Sequence, residues 1–309
     1  MQRLKARRWP QIALLAACVA GACGILHSAG PDLPSFNGGQ AFQHLKRVVG
    51  FGPRPAGSKA SADCRRWIIA HLRQMRCKVE EDPFSAATPL GPLPMANVVV
   101  KFPGKRSTIV IIGGHYDTKR FGEFSFVGAN DAGSSTAFLL EMVRVLAQRR
   151  NDLTYWLVFF DGEEAIQTWS STDGLYGSRH LVEKLTANGE LSRVGALLLV
   201  DMVADRSLQI HRDFNSTEWL SDLVFGVARR LGYGKYFANE LRGIEDDHVP
   251  FVQAGVASVD LIDFEYGPYN RYWHTAEDTL DKCSPVSLTI VGRVVLASLD
   301  ELERSPRLR

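Results

Sequence analysis

Four apolar runs limit what this chain can fold into: "TIVIIGG" (108–114), "YWLVFF" (155–160), "GALLLV" (195–200) and "SVDLI" (258–262). Three of them lack the polar–apolar alternation of a strand with one face in water, so they read as strands covered on both sides. Helix-length segments lie between them at 132–150, 174–187 and 216–231, and a last one follows at 285–302. Apolar strands separated by helices predict an α/β fold, a mostly parallel mixed twisted sheet flanked by helices on both faces. "ANVVVKF" (96–102) and a short "SLQIH" (207–211) add strands, and helices are expected near 39–50 and 58–75. The loop "FGPRPAGS" joins those two helices, and a proline-punctuated stretch runs on to Pro94. With no linker to divide it, residues 30–309 are expected to form a single catalytic domain.

In such sheets the site lies at the carboxyl ends of the strands. There the sequence places His115-Tyr116-Asp117, then Asp161, Glu163 and Glu164, then Asp201; beyond the last strand comes His274 in "RYWHTAED". A single polar residue of this kind would be a cap or a turn. Four strand ends agreeing point to a functional edge. "DGEEAIQTW" (161–169) is the sharpest case, because packing gives no reason for adjacent glutamates beside a core strand when unpaired buried carboxylates are so unfavourable.

Charge excludes one class of partner. Arg3, Lys5, Arg7 and Arg8 precede an apolar run, "IALLAACVAGACGIL" (12–26). Without residues 1–22 the chain has 32 Lys and Arg against 34 Asp and Glu, so it has no basic stripe and no nucleic-acid partner is expected. The basic start and short apolar run have the pattern of an export leader over residues 1–29, shorter than the ~20 residues that span a bilayer. "AGA" before Cys23 suits signal cleavage and "LAAC" at Cys18 suits lipoprotein processing. The body is therefore expected to be extracytoplasmic (periplasmic, secreted or membrane-anchored), with membrane contact only through a retained or lipidated leader. Cys64, Cys77 and Cys283 remain; the first two bracket a helix too long for a disulfide to bridge, so all three read as free thiols.

The ordered set "HYD", "GANDAGSS", "DGEEAIQTWSSTDGLYGSRHL", "LVD", "EDDHVPF" and "YWHTAEDTLD" resembles the zinc-dependent M28 aminopeptidase family, and more closely the animal-type glutaminyl-peptide cyclotransferases (glutaminyl cyclases) that share its fold. By chemistry, Asp131, Glu164 and His274 are an O/O/N donor set that suits zinc with an open fourth position. Asp131 is as good a candidate for the N-cap of the helix after it; the resemblance places one zinc ion per chain on these three residues. It also implies that Glu163 is the general base and acid and that Asp201 and Asp246 form a hydrogen-bonded acid pair beside it. Trp169 and Trp273 would wall the substrate pocket.

The implied reaction converts N-terminal glutaminyl residues of peptides and proteins to pyroglutamate with release of ammonia. The alternative is a two-zinc aminopeptidase, with His115 and Asp201 on a second ion, Asp131 bridging, and Glu163 activating water. A zinc-stabilised peptide-binding ectodomain is a third class, against which the spare carboxylate of Glu163 argues. The stretch Gly255–Trp273, including "DFEYGPYNRY", departs from the cyclase pattern and leaves the preference for the residue after glutamine open.

Overall fold

A computed structural model describes residues 35–308, so the leader expected over residues 1–29 lies outside the described residues. Eight strands are present in that range: β1 (Val79–Thr88), β2 (Gly91–Phe102), β3 (Ile109–His115), β4 (Thr154–Phe160), β5 (Val194–Asp201), β6 (Ile210–Asp213), β7 (Phe237–Arg242) and β8 (Ser258–Ile262). Six build one sheet in the order β1-β2-β4-β3-β5-β8, and β6 pairs with β7 apart from it. The pairs β4–β3, β3–β5 and β5–β8 are parallel, whereas β1–β2 and β2–β4 are antiparallel. The sheet is thus mixed, with its parallel half formed by the four apolar runs.

Those runs are apolar throughout because successive side chains enter two different cores. Val110, Ile112, Leu157, Phe159, Leu198 and Val200 pack on one face; Ile109, Ile111, Trp156, Val158, Leu197 and Leu199 pack on the other. Helices α1 (Gly38–Val49), α2 (Lys59–Gln74), α3 (Gly133–Leu146), α5 (Glu218–Arg230) and α7 (Pro285–Arg304) cover the first face. Helices α4 (Tyr176–Ala187) and α6 (His248–Gln253) cover the second through Leu181, Leu185 and Phe251. Polar starts define the helices: Asn37 Oδ1 accepts the Gln40 N–H, Ser58 Oγ accepts the Ser61 N–H, and Ser284 precedes Pro285 at the first turn of α7. Helix α3 is buried along nearly its whole length, and its polar residues Ser134, Ser135, Thr136 and Glu141 are hydrogen-bonded there.

Three segments depart from the sequence reading. The proline-punctuated stretch folds as β1 and the first half of β2, a long hairpin paired from Val79↔Val100 to Thr88↔Gly91. Its prolines are tolerated because Pro83 lies on the edge strand, while Pro92 and Pro94 precede the part of β2 that bonds to β4. "EDDHVPF" is not simply a loop: its second half opens α6, with Pro250 inside the first turn, where a missing N–H breaks no helical bond. Strand β7 is exposed along most of its length and carries no apolar run to announce it. Cys64, Cys77 and Cys283 are free, as expected.

Candidate active site

The four parallel strands end side by side, so their last residues meet at one edge of the sheet. His115 closes β3 and Asp201 closes β5. After β4 the chain turns at Gly162, whose φ of +70° suits glycine and whose missing Cβ leaves room for Met95 Sδ at 2.6 Å from where it would stand. The next two amides are held by one buried carboxylate, Asp117, which accepts from Glu163 N at 3.2 Å and Glu164 N at 3.4 Å. Further along, Asp173 accepts from the amides of Ile166, Gln167 and Thr168 and from the Tyr176 hydroxyl, so the loop reaching Trp169 has its shape set locally. Those bonds hold the Asp173 carboxyl below its usual range against the opposing effect of burial.

Asp131 does not cap α3: the N-cap position is Ala132, with no side-chain cap bond. The carboxylate is left free for the cleft, and its loop is held from two sides. Asp278, four residues beyond His274, accepts from the amides of Asn130 (2.8 Å) and Asp131 (3.1 Å) and from the Tyr266 hydroxyl (2.8 Å). Arg54, wholly buried, donates to the carbonyls of Tyr116 (3.0 Å), Gly52 (3.3 Å), Val127 (2.6 Å) and Gly128 (3.1 Å). One guanidinium thus joins the end of β3 to the loop that carries Asp131.

His274 has a left-handed backbone, φ +54°, a conformation that is disfavoured by about 1–3 kcal/mol for such a residue and concentrates at functional sites. Its ring stacks on Trp273 with centroids 4.1 Å apart and meets Phe121 and Phe126 edge-on. Nε2 is thereby held 2.9 Å from Glu164 Oε1 and 3.2 Å from Asp131 Oδ2. Burial alone would lower the His274 pKa, but hydrogen bonds and charge from Asp131 and Glu164 raise it to about 10. Two carboxylates around one nitrogen favour a cation, and the three donor atoms lie within 4.8 Å of one another.

A second trio, His115, Asp131 and Asp201, meets the same criterion among the described residues and shares Asp131 with the first. His115 Nε2 is 3.2 Å from Asp201 Oδ1 and 3.4 Å from Asp131 Oδ1. Glu163 belongs to neither trio; its Oε2 lies 4.0 Å from His115 Nδ1. Burial raises the Glu163 carboxyl well above its usual range, with His115 opposing and Asp246 and Glu164 adding to the shift. Asp246 is likewise raised, by burial and then by Asp201 and Asp247; its Oδ1 accepts the Asp247 amide and its Oδ2 is buried without a partner among the described residues, so the hydrogen bond to Asp201 that the resemblance implies is not made.

The eight residues to which the cyclase resemblance assigns roles, Asp131, Glu163, Glu164, Trp169, Asp201, Asp246, Trp273 and His274, line one cleft of about 310 Å³, whereas His115, Asp117 and Asp161 are not part of its lining. Sequence reasoning missed Lys119, Ile244, Glu245, Ile262 and Phe264, which line it as well. Phe264 follows the end of β8 and packs 4.9 Å from Trp273, so the strand-end rule could have found it. Glu245 accepts a 2.8 Å bond from Trp169 Nε1.

Residues 97–299 match the model of peptidase family M28. The chain is 33% identical to the glutaminyl-peptide cyclotransferase-like protein of Mus musculus over 80% of its own length and 72% of the relative's. It superposes on the glutaminyl cyclase of an Acidobacteriales bacterium with a TM-score of 0.85 at 40% identity, covering 89% of this chain and 98% of the other. The Porphyromonas gingivalis glutaminyl cyclase follows at 0.81 and 27%, covering 88% and 100%. The chain belongs to family M28 and, within it, to the glutaminyl-peptide cyclotransferases, which are transferases.

Proposed function

We propose that this enzyme cyclises N-terminal glutaminyl residues of peptides and proteins to pyroglutamate, releasing ammonia, with one zinc ion per chain. The observation that carries the reading is the divergence of two adjacent glutamates: Glu164 converges with Asp131 and His274, while Glu163 stands outside that cluster in the same cleft. A part-buried imidazole between two buried carboxylates is a donor set that fits zinc. Zinc held by Asp131, Glu164 and His274 would supply Lewis-acid polarisation of the side-chain amide carbonyl.

The remaining work falls to the protein. The substrate's α-amine nitrogen forms a bond to the side-chain amide carbon, and the bond from that carbon to the amide nitrogen breaks. Glu163 accepts the proton that the attacking amine gives up and delivers it to the departing nitrogen, which leaves as ammonia. Burial raises the Glu163 carboxyl well above its usual range, which makes it a better proton acceptor than an exposed carboxylate. Asp201 and Asp246, two acids at the same end of the cleft, support that exchange, with Asp246 favouring its protonated form. Trp169 and Trp273 confine the flexible glutaminyl side chain so that the amine reaches its own carbonyl.

The trio His115, Asp131 and Asp201 favours a second reading, a two-zinc aminopeptidase. The identity to named cyclotransferases supports the cyclase. A Gln-initiated peptide followed by mass spectrometry separates the two: loss of ammonia with one bound zinc is expected, whereas release of a free amino acid with two tightly held zinc ions would establish the peptidase. We also place the enzyme outside the cytoplasm on the strength of the leader's composition. Among the described residues no helix is long and apolar enough to cross a membrane.

A further inference from the structure

We infer that Glu245 gives the enzyme a preference for peptides with a basic residue directly after the N-terminal glutamine. The inference rests on the cyclase reading, which places the glutaminyl side chain in the depth of the cleft and directs the next residue outward past its rim. Glu245 stands on that rim: it is exposed, although it precedes the fully enclosed Asp246 and Asp247. The Trp169 indole N–H donates to Oε2 at 2.8 Å and fixes the carboxylate against the cleft wall. One indole bond leaves most of its acceptor capacity unused.

The cations of the surrounding segments are engaged elsewhere. Arg242 pairs with Glu265 at 2.5 Å and with Glu240 at 3.3 Å, and Arg271 pairs with Glu277 at 2.8 Å. Lys119 donates to the Ala165 carbonyl at 2.7 Å and lies 3.8 Å from Glu164. Glu245 is therefore a rim carboxylate held in place, with no cation neutralising it among the described residues. A carboxylate already immobilised by an indole loses little side-chain freedom when a substrate arginine or lysine meets it, which removes one of the usual penalties on exposed ion pairs. An acidic residue in the same place meets repulsion.

The test compares peptides of equal length beginning Gln-Arg, Gln-Ala and Gln-Glu, with kcat/KM for ammonia release divided by the Gln-Ala value to remove general effects on the pocket. At low salt the unmodified enzyme should prefer Gln-Arg over Gln-Glu by about three- to tenfold, and the ratio should shrink as salt rises. Glu245→Gln keeps an acceptor for the Trp169 indole and removes the charge, so the ratio should fall toward unity. Glu245→Lys should invert it. Equal turnover of Gln-Arg and Gln-Glu by the unmodified enzyme, or a ratio unchanged in Glu245→Gln, overturns the assignment. Absence of ammonia release from all three peptides overturns the cyclase reading instead.

Discussion

Replacing the two adjacent glutamates one at a time separates metal holding from proton transfer. Glu164 Oε1 is 2.9 Å from His274 Nε2, and Glu164 is one of only two carboxylates in its donor cluster. Glu164→Gln removes half of that cluster's negative charge and leaves a poorer neutral ligand. Loss of outer-shell support alone lowers metal affinity by about 10–100-fold, so loss of a ligand should exceed ~100-fold. Glu163 lies outside both donor clusters. Glu163→Gln should therefore keep its zinc and bind peptide, yet lose ~10²–10⁴-fold in kcat, the scale of a missing proton-transfer group. Burial disfavours the charged form of this carboxyl, so a neutral amide of the same size removes a group whose ionisation opposes folding. Thermal stability should accordingly hold or rise. Zinc content after dialysis, steady-state kinetics and melting temperature, measured on both variants, read all three effects. Loss of zinc from Glu163→Gln with retention by Glu164→Gln would reverse the roles, and full activity in both would remove the site from this edge of the sheet.

Asp246→Ala should retain zinc and lower turnover by about 10²-fold or more, because the buried acid beside Glu163 is not among the donors; unchanged kcat would return Asp246 to a purely structural role. Burial raises the Asp263 carboxyl to about 7, with Asp205 adding and the Gln209 and Glu265 amides opposing. Its unfolded value is ~3.9, so the stabilisation it gives is complete below about pH 4 and lost as pH rises through about 7. Asp263→Asn should flatten that part of the melting-temperature profile, and an identical slope in both proteins would dismiss the linkage.

The fold was legible where one physical cause acts alone. Ile109–His115 and Thr154–Phe160 are buried on both faces, and their composition says so. Strand β1 was not legible, because an edge strand can carry Glu80, Glu81, Asp82 and Pro83 without loss and then looks like a loop. At the site, the residues at strand ends could be read off because topology gathers them. Asp278 and Arg54 could not: each acts through backbone atoms of a loop far away in sequence, so nothing local marks them. Asp131 shows the limit of local rules from the other side. Its position favoured a helix cap, and the tertiary bonds from Asp278 and Arg54 set the loop instead.

The Arg54 staple bears on how small this enzyme can be made. The stretch recognisable as M28 begins at residue 97 and already contains every proposed ligand as well as Glu163, Asp201 and Asp246. A minimal catalytic unit drawn from that boundary would nonetheless lack the guanidinium that ties Tyr116 to Val127 and Gly128. It would also lose α1, α2 and β1, and with them part of the core under α3 and the partner of β2. The inherited domain and the working domain are therefore different objects. Residues 35–96 hold the candidate site in shape as much as the strands that present its side chains.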